Sequence, residues 1–226
     1  MSIVDSTRVE NILLPRYMDC CTRLGATQQG QSLARQFSGL MRRYNEPGRH
    51  YHTPLHLLRA VVEFDRVRGE FDRPHRVLAA IFYAQSVSHA LPQKSAAYWK
   101  FVATDVIGIE HKMTVTAVAE MIALSGPIPS ADRPSDRDTA LFLDIELAIV
   151  GADARIYDAY RHAMREEYRH VYTDDQWAMA RIDCFLDPLL QSKTTFLTPE
   201  FESHYGENAR ANMMEERVQL QRIISR

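Results

Sequence analysis

The residues best suited to chemistry lie in the stretch Arg49-His50-Tyr51-His52-Thr53-Pro54-Leu55-His56, which puts two histidines at the mouth of a helix. Thr53 suits an N-cap, and Pro54 suits the first helical position, where a missing N–H costs nothing. His52 then precedes the helix and His56 falls in its first turn, so both imidazoles can face one pocket. Such a pair can serve a metal or phosphate site, or act as acid and base near neutral pH. Carboxylates for the same pocket come from Asp144-Ile145-Glu146. Being two apart on a helix, Asp144 and Glu146 point to different sides, so at most one is expected to face the pocket, the other being solvated or cap-bonded.

The elements that must position these groups read as helical almost throughout. Apolar residues recur at helical spacing from about Arg8 to Leu24, with Pro15 expected to kink or break that helix. A second helix is expected from about Gln29 to Tyr44, stopped by Glu46-Pro47-Gly48, and a third starting after Thr53 and ending near Gly69. The fourth, Arg76 to about Ser86, carries Val77-Leu78-Ala79-Ala80-Ile81-Phe82, apolar on most sides, which predicts the most buried helix of the fold. Further helices are expected over Gln93 to Ala103, Lys112 to Leu124 and Asp136 to Val150, with Ser125 to Pro134 a loop rich in turn residues. Ala154 to Val171 and Asp174 to Gln191 read as a helical hairpin, and Tyr205 to Ile224 closes the chain after Thr198-Pro199-Glu200. No alternating strand pattern or internal repeat interrupts this. The expected fold is all-α, one compact domain over residues 1–226, with residues 1–30 a packed N-terminal helical addition to a core of 31–226.

Composition narrows the classes. The 226 residues hold 46% hydrophobic and 25% charged residues, ordinary for a globular chain with a real core. A formal charge of −2 argues against nucleic acid as a partner, which would require a clustered basic excess. No apolar run approaches the roughly 20 residues that span a bilayer, so no membrane partner is expected. Met1-Ser2-Ile3-Val4-Asp5 lacks the basic start and apolar run of a secretory signal. The 3 cysteines, Cys20 and Cys21 adjacent among them, form neither a disulfide framework nor a CxxC pair, which fits a reducing cytoplasmic location.

With the helices placed, the chain resembles the HD superfamily of metal-dependent phosphohydrolases, and more narrowly the bacterial group of predicted metal-dependent HD phosphohydrolases. The matching pieces, in order, are Tyr44 to His52 with His56, Phe142 to Gly151, Tyr157, Tyr160, Arg165-Glu166-Glu167-Tyr168, Arg181, and Ala209-Arg210-Ala211-Asn212 with Glu216. The resemblance implies an HD-like helical fold and a divalent metal that polarises a phosphoryl oxygen and activates a water. It also implies a ligand set of one histidine, an adjacent His-Asp pair and a later acid. His56, or else His52, falls on the first ligand, and Glu146 is favoured over Asp144 for the last. The His-Asp pair, however, falls on Tyr83-Ala84. Downstream, Ser88-His89-Ala90 and Ser125-Gly126-Pro127-Ile128 replace the family's Asn-Glu and Thr-x-x-His. Ala84 offers no ligand atom, and a phenol with a pKa of about 10 is a poor substitute for imidazole.

The scaffold of that family is therefore legible while its metal centre is largely erased. Arg49, His52, His56, Tyr83, Asp144, Glu146, Arg165 and Arg181 are expected around one ligand pocket, with His56, Tyr83 and Glu146 the candidates for catalysis. No metal is expected; His56 and Glu146 would hold one if any did, and His89 could fold back as a replacement. Tyr83 is expected in the pocket wall, bonded to His56 or Glu146. Arg165, Glu166, Tyr168 and Arg181, like Arg210, Asn212 and Glu216, are read as structural networks before phosphate binders. His111, His162, His170 and His204 are read as surface residues. Three functions follow: a silenced hydrolase that keeps its pocket for a small molecule or partner, a metal-free acid/base enzyme, or a hydrolase with a displaced metal site. A homo-oligomer remains open.

Overall fold

In the computed structural model, which describes residues 3–87, 92–126, 134 and 136–225, the described chain is helical with no strand beyond one isolated bridge, Ala26 to Ile109. The helices are α1 (Ile3–Arg23), α2 (Gln31–Tyr44), α3 (Pro54–Arg66), α4 (Pro74–Ala84), α5 (Pro92–Phe101), α6 (Lys112–Leu124), α7 (Arg137–Leu147), α8 (Ala154–Glu167), α9 (Asp174–Arg181), α10 (Asp187–Gln191) and α11 (Pro199–Ile224). The all-α expectation holds. His89 and most of the Ser125 to Pro134 stretch lie outside the described residues.

α4 is the hub. Every residue from Val77 to Ala84 is buried, and the helix packs against α1, α3, α5, α6 and α7. Its Ala-rich run lets neighbours approach from all sides while larger residues fill the gaps. α1 runs through Pro15 without a break and sends Leu13 and Tyr17 into the core. α11 begins at Pro199, a full turn and a half before the apolar pattern suggests, because Thr198 and Pro199 provide the cap position and the first turn. The expected Asp174 to Gln191 helix is interrupted by a π-helical segment over Ile182–Leu186, and α7 ends in a 3-10 turn over Ala148–Gly151. Gly151 is required there: a Cβ would sit 2.4 Å from the Tyr205 Cβ and 2.7 Å from its carbonyl oxygen. That close approach seats α11 on the end of α7.

One device recurs in the loops. Buried backbone N–H groups need acceptors, and here carboxylates supply them in sets. Asp138 accepts from the amides of Asp72 and Arg73 at 2.9 and 2.8 Å, ahead of α4. Glu202 accepts from Thr195 and Phe196 at 2.9 and 2.8 Å. Asp144 and Glu167, described below, do the same for the loops that border the cavity.

Candidate functional site

A cavity of about 430 Å³ opens where the ends of α3, α4, α7, α8 and α9 converge with the loop before α11. Tyr51, His52 and His56 line it together with Ala84 and Gln85, and Glu146, Tyr160 and Arg181 are among its other polar groups. Leu143, Leu147, Ile149, Met164, Phe185 and Leu197 make most of the rest apolar. This size and mixture are those of a small-molecule site.

The two histidines do meet, with ring centroids 5.3 Å apart, and Tyr51 packs against both at 4.9 and 4.8 Å. Thr53 occupies the N-cap position of α3, but its hydroxyl makes no capping bond. The loop is fixed instead by Glu167, at the end of α8. One oxygen of Glu167 accepts from the amides of His50, Tyr51 and His52 at 2.9, 2.8 and 3.1 Å, and the other bonds His52 Nδ1 at 2.6 Å. Burial by itself opposes ionisation of Glu167; the hydrogen bonds from His52 and the loop amides outweigh it and hold the carboxyl well below its usual range. Among the described residues His56 has no such partner. Burial, reinforced by the neighbouring His52, lowers it to about 3, so its ring is neutral at physiological pH.

Glu146 also lines the cavity. Its Oε2 accepts from Gln85 Nε2 at 3.3 Å, while Oε1 is buried with no hydrogen-bond partner among the described residues. Burial raises its carboxyl to about 7. Asp144 also reaches the wall, but its oxygens are engaged by the Leu197 amide and by the amide and hydroxyl of Thr198, at 2.8, 2.8 and 2.6 Å. It is the cap-bonded member of the pair, and burial raises it to about 6 despite those bonds.

Three expected pocket residues lie elsewhere. Tyr83 faces α1, not the cavity: its hydroxyl bonds Tyr17 at 2.8 Å and its ring packs on Trp99 at 5.0 Å. Adjacent residues on a helix are about 100° apart, so with Ala84 on the cavity side Tyr83 turns into the core. Arg49 lies behind the site, donating to the carbonyls of Gln85 and His52 at 2.8 and 3.1 Å with its guanidinium over Tyr44. Arg165 pairs with Asp174 at 2.6 Å and donates to the Tyr172 carbonyl, outside the cavity wall. Arg181 does reach the cavity, but its partner is Glu216 on α11, with Nε to Oε1 at 3.1 Å, and not the Arg165-Glu166-Tyr168 cluster. Tyr160 accepts from Arg181 at 3.1 Å, and Tyr157 donates to Glu216. Arg210 and Asn212 are structural as expected, donating to the carbonyls of Ser192 and Val150 at 2.7 and 2.9 Å. His111, His162, His170 and His204 are exposed, and His111 also caps α6.

The cavity does not fit the metal its resemblance implies. Ala84 has no donor, Tyr83 points away, Asp144 is consumed by Thr198 and His52 by Glu167. Among the described residues no group of three or more His, Cys, Asp and Glu could hold an ion. His56 and Glu146 alone fall short of the three or four protein ligands that such sites use.

Two expected outcomes follow. Tyr83→Phe removes one buried O–H bond while Tyr17 keeps the Cys21 thiol as a neighbour, so thermal or urea unfolding reports a loss of about 1 kcal/mol. Ligand binding in the cavity is unchanged; a large binding defect would return Tyr83 to the site. Glu146→Gln reports the buried carboxyl. A group raised from 4.5 to about 7 binds extra protons in the folded state across that window, so the native fold loses stability as pH rises through it. Glutamine has no such loss. The stability of Glu146→Gln relative to the parent therefore improves by about 1–3 kcal/mol between pH 4.5 and pH 8, and a flat difference between the urea curves would contradict the assignment. Asp144, His56 and Glu167 titrate in both proteins and cancel.

Comparisons of the chain with protein-family models, curated proteins and solved structures return no match. Among the described residues no helix is long and apolar enough to cross a membrane.

Proposed function

We propose that this chain is an HD-like protein that has lost metal-dependent phosphohydrolysis and retains its cavity to bind a small organic molecule. The observation that carries the reading is the donor set of the cavity. A neutral imidazole, a histidine already bonded to Glu167, and one carboxyl balanced near neutral pH replace what a cation would require. A phosphate dianion fares no better, because Arg181, the arginine on the cavity wall, is already neutralised by Glu216. The apolar remainder of the wall favours a largely apolar body. The test is a panel of phosphomonoesters, phosphodiesters and nucleotides incubated with Mn²⁺, Mg²⁺ or Fe²⁺. No turnover above the metal-only blank supports the reading; turnover that chelator abolishes and His56→Ala removes overturns it.

A second reading has its own support in Glu146 and His56. A carboxyl raised to about 7 on the same cavity wall as a neutral imidazole is suited to hand a proton to a bound substrate and take one back. Under it the same cavity turns over a metal-free substrate, and Glu146→Gln abolishes that turnover while leaving binding in place.

A further inference from the structure

The charges around the cavity are not evenly balanced, and the imbalance describes a ligand. Glu167 is compensated by His52 and three amides, and Asp144 by Thr198 and Leu197. Arg181 and Glu216 satisfy each other. What remains on the cavity wall is Glu146, with one oxygen on a neutral amide at 3.3 Å and the other buried without a donor among the described residues. Arg49, also outside these pairs, lies behind the wall with Nη1 on the carbonyls of Gln85 and His52 and with Glu46 at 3.9 Å. An unpartnered buried carboxylate oxygen is costly, and the group most able to repay it is a cationic donor. The last torsion of a glutamate side chain is soft, so Oε1 can turn to meet such a donor at the wall.

We propose that the cavity takes a primary or secondary amine on an apolar body, with the ammonium group at Glu146 and the body along Leu147, Met164 and Phe185. This rests on the small-molecule reading above and adds the chemical class. Tyr51, Tyr160, Tyr168 and Tyr172 contribute aromatic faces to the same cavity, and ring faces attract cations. At the Arg181 end of the cavity this side chain uses Nε and Nη2 on Glu216 and Tyr160 and makes no bond through Nη1 among the described residues. Because its charge is already matched, a neutral acceptor such as a carbonyl or ether suits that end, not a second full charge. Anionic ligands meet Glu146 unfavourably and gain nothing at Arg181.

The experiment is calorimetric titration at pH 8 of four molecules that share one body: 4-phenylbutylamine, 4-phenylbutanol, 4-phenylbutyrate and 4-phenylbutyl phosphate. At that pH the Glu146 carboxyl, raised to about 7, is ionised and the amine is protonated. The amine is expected to bind at least about tenfold more tightly than the alcohol, a single charge-assisted contact, and the two anions more weakly than the alcohol. Glu146→Gln should bring amine and alcohol to equal affinity, and Met164→Trp, which fills the cavity, should abolish both. Equal or stronger binding of either anion overturns the amine assignment while leaving the cavity reading intact, as does an amine preference that survives Glu146→Gln. Absence of binding by all four, or binding indifferent to Met164→Trp, overturns the small-molecule reading itself. The ligand series on the parent protein decides the chemical class even if a variant fails to fold.

Discussion

Arg181→Met lowers the free energy of unfolding by about 3–5 kcal/mol, because it leaves a buried carboxylate without its cation. The side chains of Arg181 and Glu216 are 6% and 3% exposed, and their contacts run at 3.1 and 3.3 Å. With the guanidinium gone, Tyr157 is the one protein donor left to Glu216 among the described residues. The pair is costly to break but not intrinsically stabilising, since both charges had to be dehydrated to form it. Arg181→Met combined with Glu216→Leu therefore restores most of the loss, leaving a deficit of about 1–2 kcal/mol from the stranded hydroxyls of Tyr157 and Tyr160. A double-mutant cycle from urea unfolding checks this. Single variants that add to give the double would show that the two residues do not act as a pair.

Glu167→Ala has an effect of similar size for a different reason. One side chain satisfies three consecutive amides and an imidazole, and truncation leaves all of them without an acceptor. Each stranded amide costs on the order of 1 kcal/mol or more and the charged hydrogen bonds more, so the expected loss is about 3–5 kcal/mol, moderated where water enters. The consequence is local as well as global: protection of the His50, Tyr51 and His52 amides from hydrogen exchange disappears, and His52 loses its orientation toward the cavity. The pH dependence has a definite sign. A carboxyl held below its usual range contributes stability that is full above about pH 4.5 and declines as pH falls below it. Glu167→Ala lacks that decline. If the three amides stay protected in the variant, Glu167 does not anchor the loop.

These two residues also mark the limit of what the sequence could show. The helices are readable because burial of one face imposes a 3.6-residue period, and α4 is identifiable as the most buried helix from the apolar run Val77 to Phe82. The meeting of His52 and His56 was readable because it depends on four residues of chain and one N-terminal turn. Glu167 was not, since its partners are backbone amides more than a hundred residues away and any loop has amides. Arg181 and Glu216 lie on different helices, with no spacing to link them. A motif position does not fix the direction of Tyr83, which is set by Tyr17 and Trp99, both outside that motif. The same holds for Asp144 and Glu146. Their divergence followed from helix geometry, but which one the Thr198 loop would occupy depended on where α11 starts.

The claim on which the functional account depends is that this cavity has no place for a divalent cation, and titration with Mn²⁺ followed by electron paramagnetic resonance tests it directly. The signal of free Mn²⁺ should rise in proportion to the metal added, unaffected by protein at tens of micromolar. Disappearance of one equivalent of that signal per chain, restored by His56→Ala or Glu146→Gln, would contradict it.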